Sequence, residues 1–110
     1  MSLLMGLLAL VMAASAQADV ACRALINQSQ IRIPASSEDA DHIYFSGHEG
    51  SDFFDATFHK SERFIYLQIL TGSRSNPAHV SGTYVMNGGG LPATLSYSLN
   101  NKVLQFSCQN

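Results

Sequence analysis

Residues 94–108 read TLSYSLNNKVLQFSC, and apolar side chains recur at every second position on both sides of an Asn-Asn dipeptide. These positions are Leu95, Tyr97 and Leu99, then Leu104, Phe106 and Cys108. Because successive side chains of a β-strand point to opposite faces, a period of two predicts strands rather than helices. Asn-Asn is a turn-forming dipeptide between the two runs. The segment is therefore predicted to be a β-hairpin with one apolar face.

The same period of two extends over most of the chain, and helical periodicity is absent after residue 18. Besides the hairpin, strands are predicted at residues 20–26, 31–33, 42–46, 53–59, 64–70 and 80–86. Segment 64–70 is apolar on both alternations, which predicts a central strand covered on both faces. About six to eight short strands with short turns between them predict an all-β fold, a small antiparallel β-barrel or β-sandwich.

The two cysteines, Cys22 and Cys108, each lie on the apolar set of a predicted strand. In an oxidising compartment such a pair predicts one disulfide that joins the first strand to the last. Closing so long a loop would stabilise the domain by roughly 4 to 5 kcal/mol in the chain-entropy model. A free redox thiol or a metal site is the alternative, although the C-x-x-C spacing typical of either is missing.

Residues 1–18 have the composition of a secretory signal peptide. An apolar run at residues 3–12 is followed by the small-residue exit AASAQA at residues 13–18. The run is too short to span a bilayer, and no Lys or Arg precedes it, in departure from the usual pattern. Cleavage after Ala18 would leave a single small β domain, residues 19–110, secreted or periplasmic and without stable membrane insertion.

The chain has six basic and eight acidic residues and a net charge of −2. That balance lacks the basic footprint of nucleic-acid-binding proteins, so nucleic acid is not an expected partner. Six acids and no Lys or Arg lie between residues 38 and 55, and such a surface attracts a basic partner. Glu49, Asp52 and Asp55 are therefore candidate contacts for another protein. Arg74 is a further candidate, as the one cation of a polar loop predicted at residues 71–77.

The segment FSGHEGSDFF, residues 45–54, combines small, acidic and imidazole side chains. Its Gly and Asp residues predict a turn between two strands at residues 47–52. The alternative is a metal site formed by His42, His48 and His59, which requires the three imidazoles to converge. His48-Glu49 begins like the zinc-protease motif H-E-x-x-H, but residue 52 is Asp. The chain has no nucleophile elbow or phosphate-binding loop, so neither catalytic residues nor cofactors are predicted.

The tetrapeptide Ser81-Gly82-Thr83-Tyr84 resembles, with one residue fewer, the S-G-x-x-Y motif of bacterial inhibitors of animal-type lysozymes. Members of that family are small, disulfide-bearing β-barrels of Gram-negative bacteria, and the motif enters the lysozyme cleft. The resemblance implies an inhibitor role for Ser81 and Tyr84. Regular alternation, however, puts the two side chains on opposite faces, so that Tyr84 joins Val80 and Met86 in a core-facing set.

These observations favour a secreted or periplasmic, non-catalytic domain that binds another protein, such as an inhibitor or immunity protein acting on a lysozyme-like hydrolase or toxin. One alternative is a metal-binding or small enzymatic domain that uses the His-, Asp- and Glu-rich segment at residues 42–59. A structural component of an envelope or extracellular assembly is the other alternative.

Overall fold

The computed structural model describes residues 20–73, 75–86, 92–99 and 101–110. The predicted leader and Arg74 lie outside the described residues. Within them the chain forms nine strands. In chain order these are β1 (Ala21–Ile26), β2 (Ser29–Ile33), β3 (Ala35–Glu38), β4 (His42–Glu49), β5 (Asp52–His59), β6 (Phe64–Gly72), β7 (Pro77–Val85), β8 (Ala93–Leu99) and β9 (Lys102–Gln109).

The strands form two antiparallel sheets, with the orders β2-β1-β9-β8 and β3-β4-β5-β6-β7. The predicted all-β fold is therefore confirmed, whereas hydrogen bonding does not close the sheets into a barrel. Strands β8 and β9 form the predicted hairpin, in which Leu95 lies opposite Phe106 and Tyr97 opposite Leu104. In the five-stranded sheet every strand pairs with its neighbour in sequence, which gives a simple meander.

A single apolar core lies between the two sheets, because the alternate apolar positions of both point toward each other. Phe54 of β5 meets Phe106 of β9 edge to face, with ring centroids 5.5 Å apart, and both side chains are fully buried. The other fully buried large side chains are Phe58, Ile33, Ile65, Leu67, Ile69, Leu104 and Cys108. Each sheet therefore has one covered face and one face open to solvent.

Strand β6 departs from its prediction as a central strand covered on both faces. It is second from the edge of its sheet, and β5 is central. Ile65, Leu67 and Ile69 are completely buried, but Leu70 is 42% exposed. The prediction was wrong because the second apolar set of this segment lies on an open face, where it forms a surface patch instead of core.

Strand β3 was not predicted as a strand. Its four residues, ASSE, are all exposed and carry no alternating apolar side chains. Its pairing with β4 also shifts register between Ala35 and Ser37. Sequence periodicity cannot detect such a strand, since backbone pairing at a sheet edge requires no buried side chain.

The turn predicted at residues 47–52 is present but shorter. Strand β4 continues to Glu49, and β5 begins at Asp52, which leaves a two-residue connection. Gly50, the first of these two residues, has a φ of 59°. Glycine at this position is typical of the type II′ turns that join antiparallel strands.

The predicted disulfide between Cys22 and Cys108 is confirmed. The two cysteines lie directly opposite each other on neighbouring strands, with their Cα atoms 4.1 Å apart, and both are buried. A buried disulfide is typical of proteins that mature in an oxidising compartment, outside the cell or in the periplasm. Among the described residues, no helix is long and apolar enough to cross a membrane.

Candidate functional site

The solvent side of strands β4–β7 carries all four histidines of the chain. Its side chains alternate with the core positions of the same strands. We call it the aromatic-histidine face, formed by His42, Tyr44, Ser46, His48, Phe53, Asp55, Thr57, His59, Phe64, Tyr66, Gln68, Leu70, His79, Ser81, Thr83 and Val85. It contains no Lys or Arg, so it combines ring surfaces with a single acidic side chain, that of Asp55.

One end of this face is a continuous cluster of rings. His42, His59 and Phe64 lie side by side on β4, β5 and β6, as directly opposed residues. The ring centroids are 4.6 Å apart for His42 and His59, and 4.1 Å apart for the stacked His59 and Phe64. Tyr44 stacks on the other side of His42, with centroids 5.6 Å apart. These mutual contacts restrict the rotamers of all four rings, which reduces the entropy lost when a partner covers them.

The opposite end of the face is a second apolar patch. His48 stacks on Phe53, with ring centroids 5.0 Å apart, and Leu70 and His79 continue the row on β6 and β7. Phe53 and Leu70 are each 42% exposed, although both are large apolar side chains. The two patches are separated by polar side chains, Asp55 and Gln68 among them. The face thus presents two apolar ends and a polar middle.

The structure brings His42 and His59 together but leaves His48 apart from them. His48 is six residues further along the same strand as His42, a separation of about 20 Å. Within the described part of the chain, no group of three His, Cys, Asp or Glu side chains could hold a metal ion. Two imidazoles alone are fewer ligands than zinc usually takes from a protein.

Asp39, which sequence reasoning did not single out, anchors the first ring cluster. Its carboxylate accepts hydrogen bonds from the backbone N–H groups of Asp41 (2.9 Å) and His42 (2.7 Å). The same carboxylate lies 3.2 Å from Nδ1 of His42, and the hydroxyl of Tyr44 donates to it at 3.4 Å. An Asp that bonds the backbone two residues later is a common turn pattern, and D-A-D-H at residues 39–42 could have indicated it.

These contacts shift two pKa values in opposite directions. The hydrogen bond from the Asp41 backbone, with further ones from His42, lowers the pKa of Asp39 below its ordinary value of 3.8. Desolvation, and then the charge and hydrogen bond of Asp39, raise the pKa of Tyr44 above 10.0. Because its pKa is lower in the folded state, Asp39 stabilises the fold above its unfolded pKa. That contribution is lost as the pH falls through the folded value.

We expect the substitution Asp39→Asn to lower the pKa of Tyr44, since it removes the charge that opposes tyrosinate formation. The pKa should not return fully to 10.0, because the desolvation of Tyr44 remains. The stability difference between wild type and variant should also shrink as the pH falls below the unfolded pKa of 3.8, because wild-type Asp39 then becomes protonated. NMR titration of the Tyr44 ring in wild type and variant measures the first effect. An unchanged Tyr44 titration would contradict the contact.

The acidic residues proposed from the sequence occupy different environments. Asp55 lies in the polar middle of the face, and Glu49 is exposed at the end of β4. Asp52, in contrast, is only 3% exposed and points inward with Phe54. It accepts a hydrogen bond from the hydroxyl of Thr71, and Nζ of Lys102 lies 3.1 Å from its Oδ2. Since Lys102 belongs to the other sheet, Asp52 forms a polar link between the sheets and its side chain is buried from solvent.

Ser81 and Tyr84 lie on opposite faces of β7, as alternation predicted. Ser81 is exposed on the aromatic-histidine face, where it pairs with Gln68. Tyr84 is half-buried and packs against the core beside Val80, and Met86 is buried. Of the two residues that the resemblance singles out, Ser81 therefore lies on this face and Tyr84 does not.

Comparisons with protein-family models, curated proteins and solved structures found no match to this chain. The strongest candidate site on the described residues is the aromatic-histidine face. From strand spacing and rise, its four strands cover roughly 20 by 25 Å, or about 500 Å². That area includes the polar middle, so the two apolar ends each cover only part of it.

Proposed function

We propose that this protein is a non-catalytic domain that binds another protein through its aromatic-histidine face. One observation supports the proposal. Aromatic rings reach solvent at both ends of this sheet face, and the face itself carries no Lys or Arg side chain. Centres of protein interfaces are enriched in aromatic side chains and depleted of charged ones. The whole aromatic-histidine face, about 500 Å², is a large part of the roughly 800 Å² that each partner contributes to a standard interface.

The acidic side chains in and around this face favour a basic protein as the partner. Asp55 lies within the face, the carboxylates of Asp39 and Asp41 lie at one end of it beside Lys60, and Glu49 is exposed where β4 ends. A positively charged surface would meet these acids while its apolar centre covers the rings. Lysozyme-like hydrolases and toxins are basic targets of this kind, for which the protein would act as an inhibitor or immunity protein. The predicted leader and the buried disulfide support a secreted or periplasmic location for the encounter.

The direct test measures binding of the oxidised protein to c-, g- and i-type lysozymes, together with inhibition of their activity. We expect saturable binding to at least one type, with loss of its hydrolytic activity. Binding to none of the three would overturn the lysozyme proposal. Self-association of the protein through the same face would instead favour the structural role in an assembly.

Once a target protein has been identified, Phe53→Ala is expected to raise the dissociation rate of the complex by about tenfold or more. Phe53 is a large ring at the centre of an apolar patch, and such residues carry most of the binding energy of an interface. Val103→Ala is the matched control, because Val103 is 48% exposed on the outer side of the other sheet. Equal dissociation rates for the two variants would place the binding surface elsewhere.

Charge reversal tests the electrostatic part of the proposal separately. Asp55→Lys and Glu49→Lys should slow association at low salt, because both remove attraction toward a basic target. At high ionic strength, where exposed charges are screened, the variants should associate as the wild type does. An association rate that is unchanged at low salt would contradict recognition by charge.

The metal-binding alternative has one supporting contact, the adjacent imidazoles of His42 and His59. Calorimetric titration of the wild type with Zn²⁺, compared with His59→Ala and with His48→Ala, tests it. Stoichiometric binding that only His59→Ala abolishes would favour this alternative.

A further inference from the structure

The outer side of the four-stranded sheet carries two arginines as direct neighbours. Arg23 of β1 lies opposite Arg32 of β2, and on its other side opposite Ser107 of β9. All three side chains point away from the core, because Cys22, Ala24, Ile33 and Cys108 occupy the inward positions. Two guanidinium groups and a hydroxyl therefore lie in one row across three strands.

This arrangement is unfavourable for folding alone. Like charges at directly opposed positions of a sheet repel each other and destabilise the pairing. Neither guanidinium group has a hydrogen-bond or ion-pair partner among the described residues. The repulsion between Arg23 and Arg32 is therefore uncompensated within that part of the chain.

A groove of about 380 Å³ lies along this row. Gln30, Gln109 and Asn110 line it together with both arginines, as does Ser107, whose hydroxyl lies 3.1 Å from that of Thr94; no Asp or Glu side chain of the described residues lines it. The two guanidinium groups and the amide of Gln30 supply many hydrogen-bond donors at one place. A groove rich in donors and positive charge is complementary to an oxyanion.

We propose that this groove binds a phosphate group, held between the guanidinium groups of Arg23 and Arg32. Arginine presents a planar fork of N–H donors that matches phosphate oxygens two at a time. The bound anion would also neutralise the repulsion between the two arginines. The site lies on the opposite sheet from the aromatic-histidine face and so is independent of the proposed function. The phosphate group bound in the groove belongs either to a free anion or to a lipid headgroup.

The test is an NMR titration of ¹⁵N-labelled full-length protein with inorganic phosphate at constant ionic strength. We expect saturable shifts at the amides of Arg23, Arg32 and Ser107. Arg23→Gln should bind about tenfold more weakly, and Arg23→Lys should also be weaker, because lysine keeps the charge but lacks the fork. Lys60→Gln is the matched control, since it removes the same charge from the other sheet and should bind like wild type.

A second arm separates the two sources of phosphate. Co-sedimentation with phosphatidylglycerol vesicles, but not with phosphatidylcholine vesicles, would assign the site to an anionic headgroup. Saturable binding of inorganic phosphate without vesicle binding would assign it to a free anion. Shifts that rise linearly and equally in wild type and Arg23→Gln would overturn the proposal, because they indicate non-specific screening.

Stability provides an independent readout. Since Arg23 repels Arg32, Arg23→Gln should leave the melting temperature in phosphate-free buffer unchanged or raise it. Added phosphate should raise the melting temperature of the wild type more than that of the variant. A variant that melts well below wild type without phosphate would show that Arg23 supports the fold itself, which contradicts a site kept for a ligand.

Discussion

Reduction of the Cys22–Cys108 disulfide is expected to lower the free energy of unfolding by roughly 4 to 5 kcal/mol. The two cysteines are 86 residues apart, so the bond removes much of the conformational freedom of the unfolded chain. For a domain of this size, such a loss lowers the melting temperature by about 20 °C or more. The disulfide is therefore expected to decide whether the domain stays folded at 37 °C.

Thermal unfolding followed by circular dichroism measures the effect. The oxidised protein should be compared with the same protein in a reducing agent, which breaks the bond without deleting atoms from the core. The double variant Cys22→Ala/Cys108→Ala should melt lower still, because it also leaves space beside buried neighbours. A difference of only a few degrees between oxidised and reduced protein would show that the unfolded chain is already compact.

Lys102→Met is expected to lower the free energy of unfolding by roughly 2 to 3 kcal/mol. Removing one partner of a buried ion pair usually costs about 3 to 5 kcal/mol, since the remaining charge is stranded. The loss should be smaller here because the side chain of Lys102 is 37% exposed, so that water screens part of the interaction. The carboxylate of Asp52 would retain only the hydroxyl of Thr71 as a side-chain partner in the described structure.

Two further variants make this prediction specific. Lys60→Met removes a lysine of similar exposure, whose partner Glu38 is at the surface, and should cost less than about 1 kcal/mol. The double variant Asp52→Leu/Lys102→Met should recover much of the stability, because an apolar pair leaves no charge unpaired. Urea denaturation measures all three variants. Equal losses for Lys102→Met and Lys60→Met would refute a special role for the link between the sheets.

The fold could be predicted wherever one face of a strand is buried. In β8 and β9, and in β5, alternate residues enter the core, so the period of two is visible in the sequence. The pairing of Cys22 with Cys108 followed from the same alternation. Strand β6 misled the prediction, since an outward set containing Phe64 and Leu70 is indistinguishable in sequence from a second buried set. What decides between these cases is whether another layer of the fold covers the outer face of the sheet.

The candidate site was less predictable because it depends on register between strands. The proximity of His42, His59 and Phe64 comes from three strands meeting at particular positions, which periodicity alone does not determine. The inward direction of Asp52 could have been predicted, since it continues the buried alternation of Phe54 and Ala56. Because Asp is usually a surface residue, Asp52 was interpreted as exposed although it fits the buried alternation. The two opposed arginines likewise become neighbours only through the register of β1 with β2.

The order of the strands also has a consequence for how the chain folds. Each strand of the five-stranded sheet pairs with its sequence neighbour, so that sheet requires only short loop closures. Strand β1 pairs with its sequence neighbour β2 but also with β9, and the second contact must close a loop that contains all the other described strands. Folding rates fall as contacts become less local, so we expect the pairing of β1 with β9 to form last. The aromatic-histidine face would then form before the cysteines meet, and formation of the disulfide would report the end of folding.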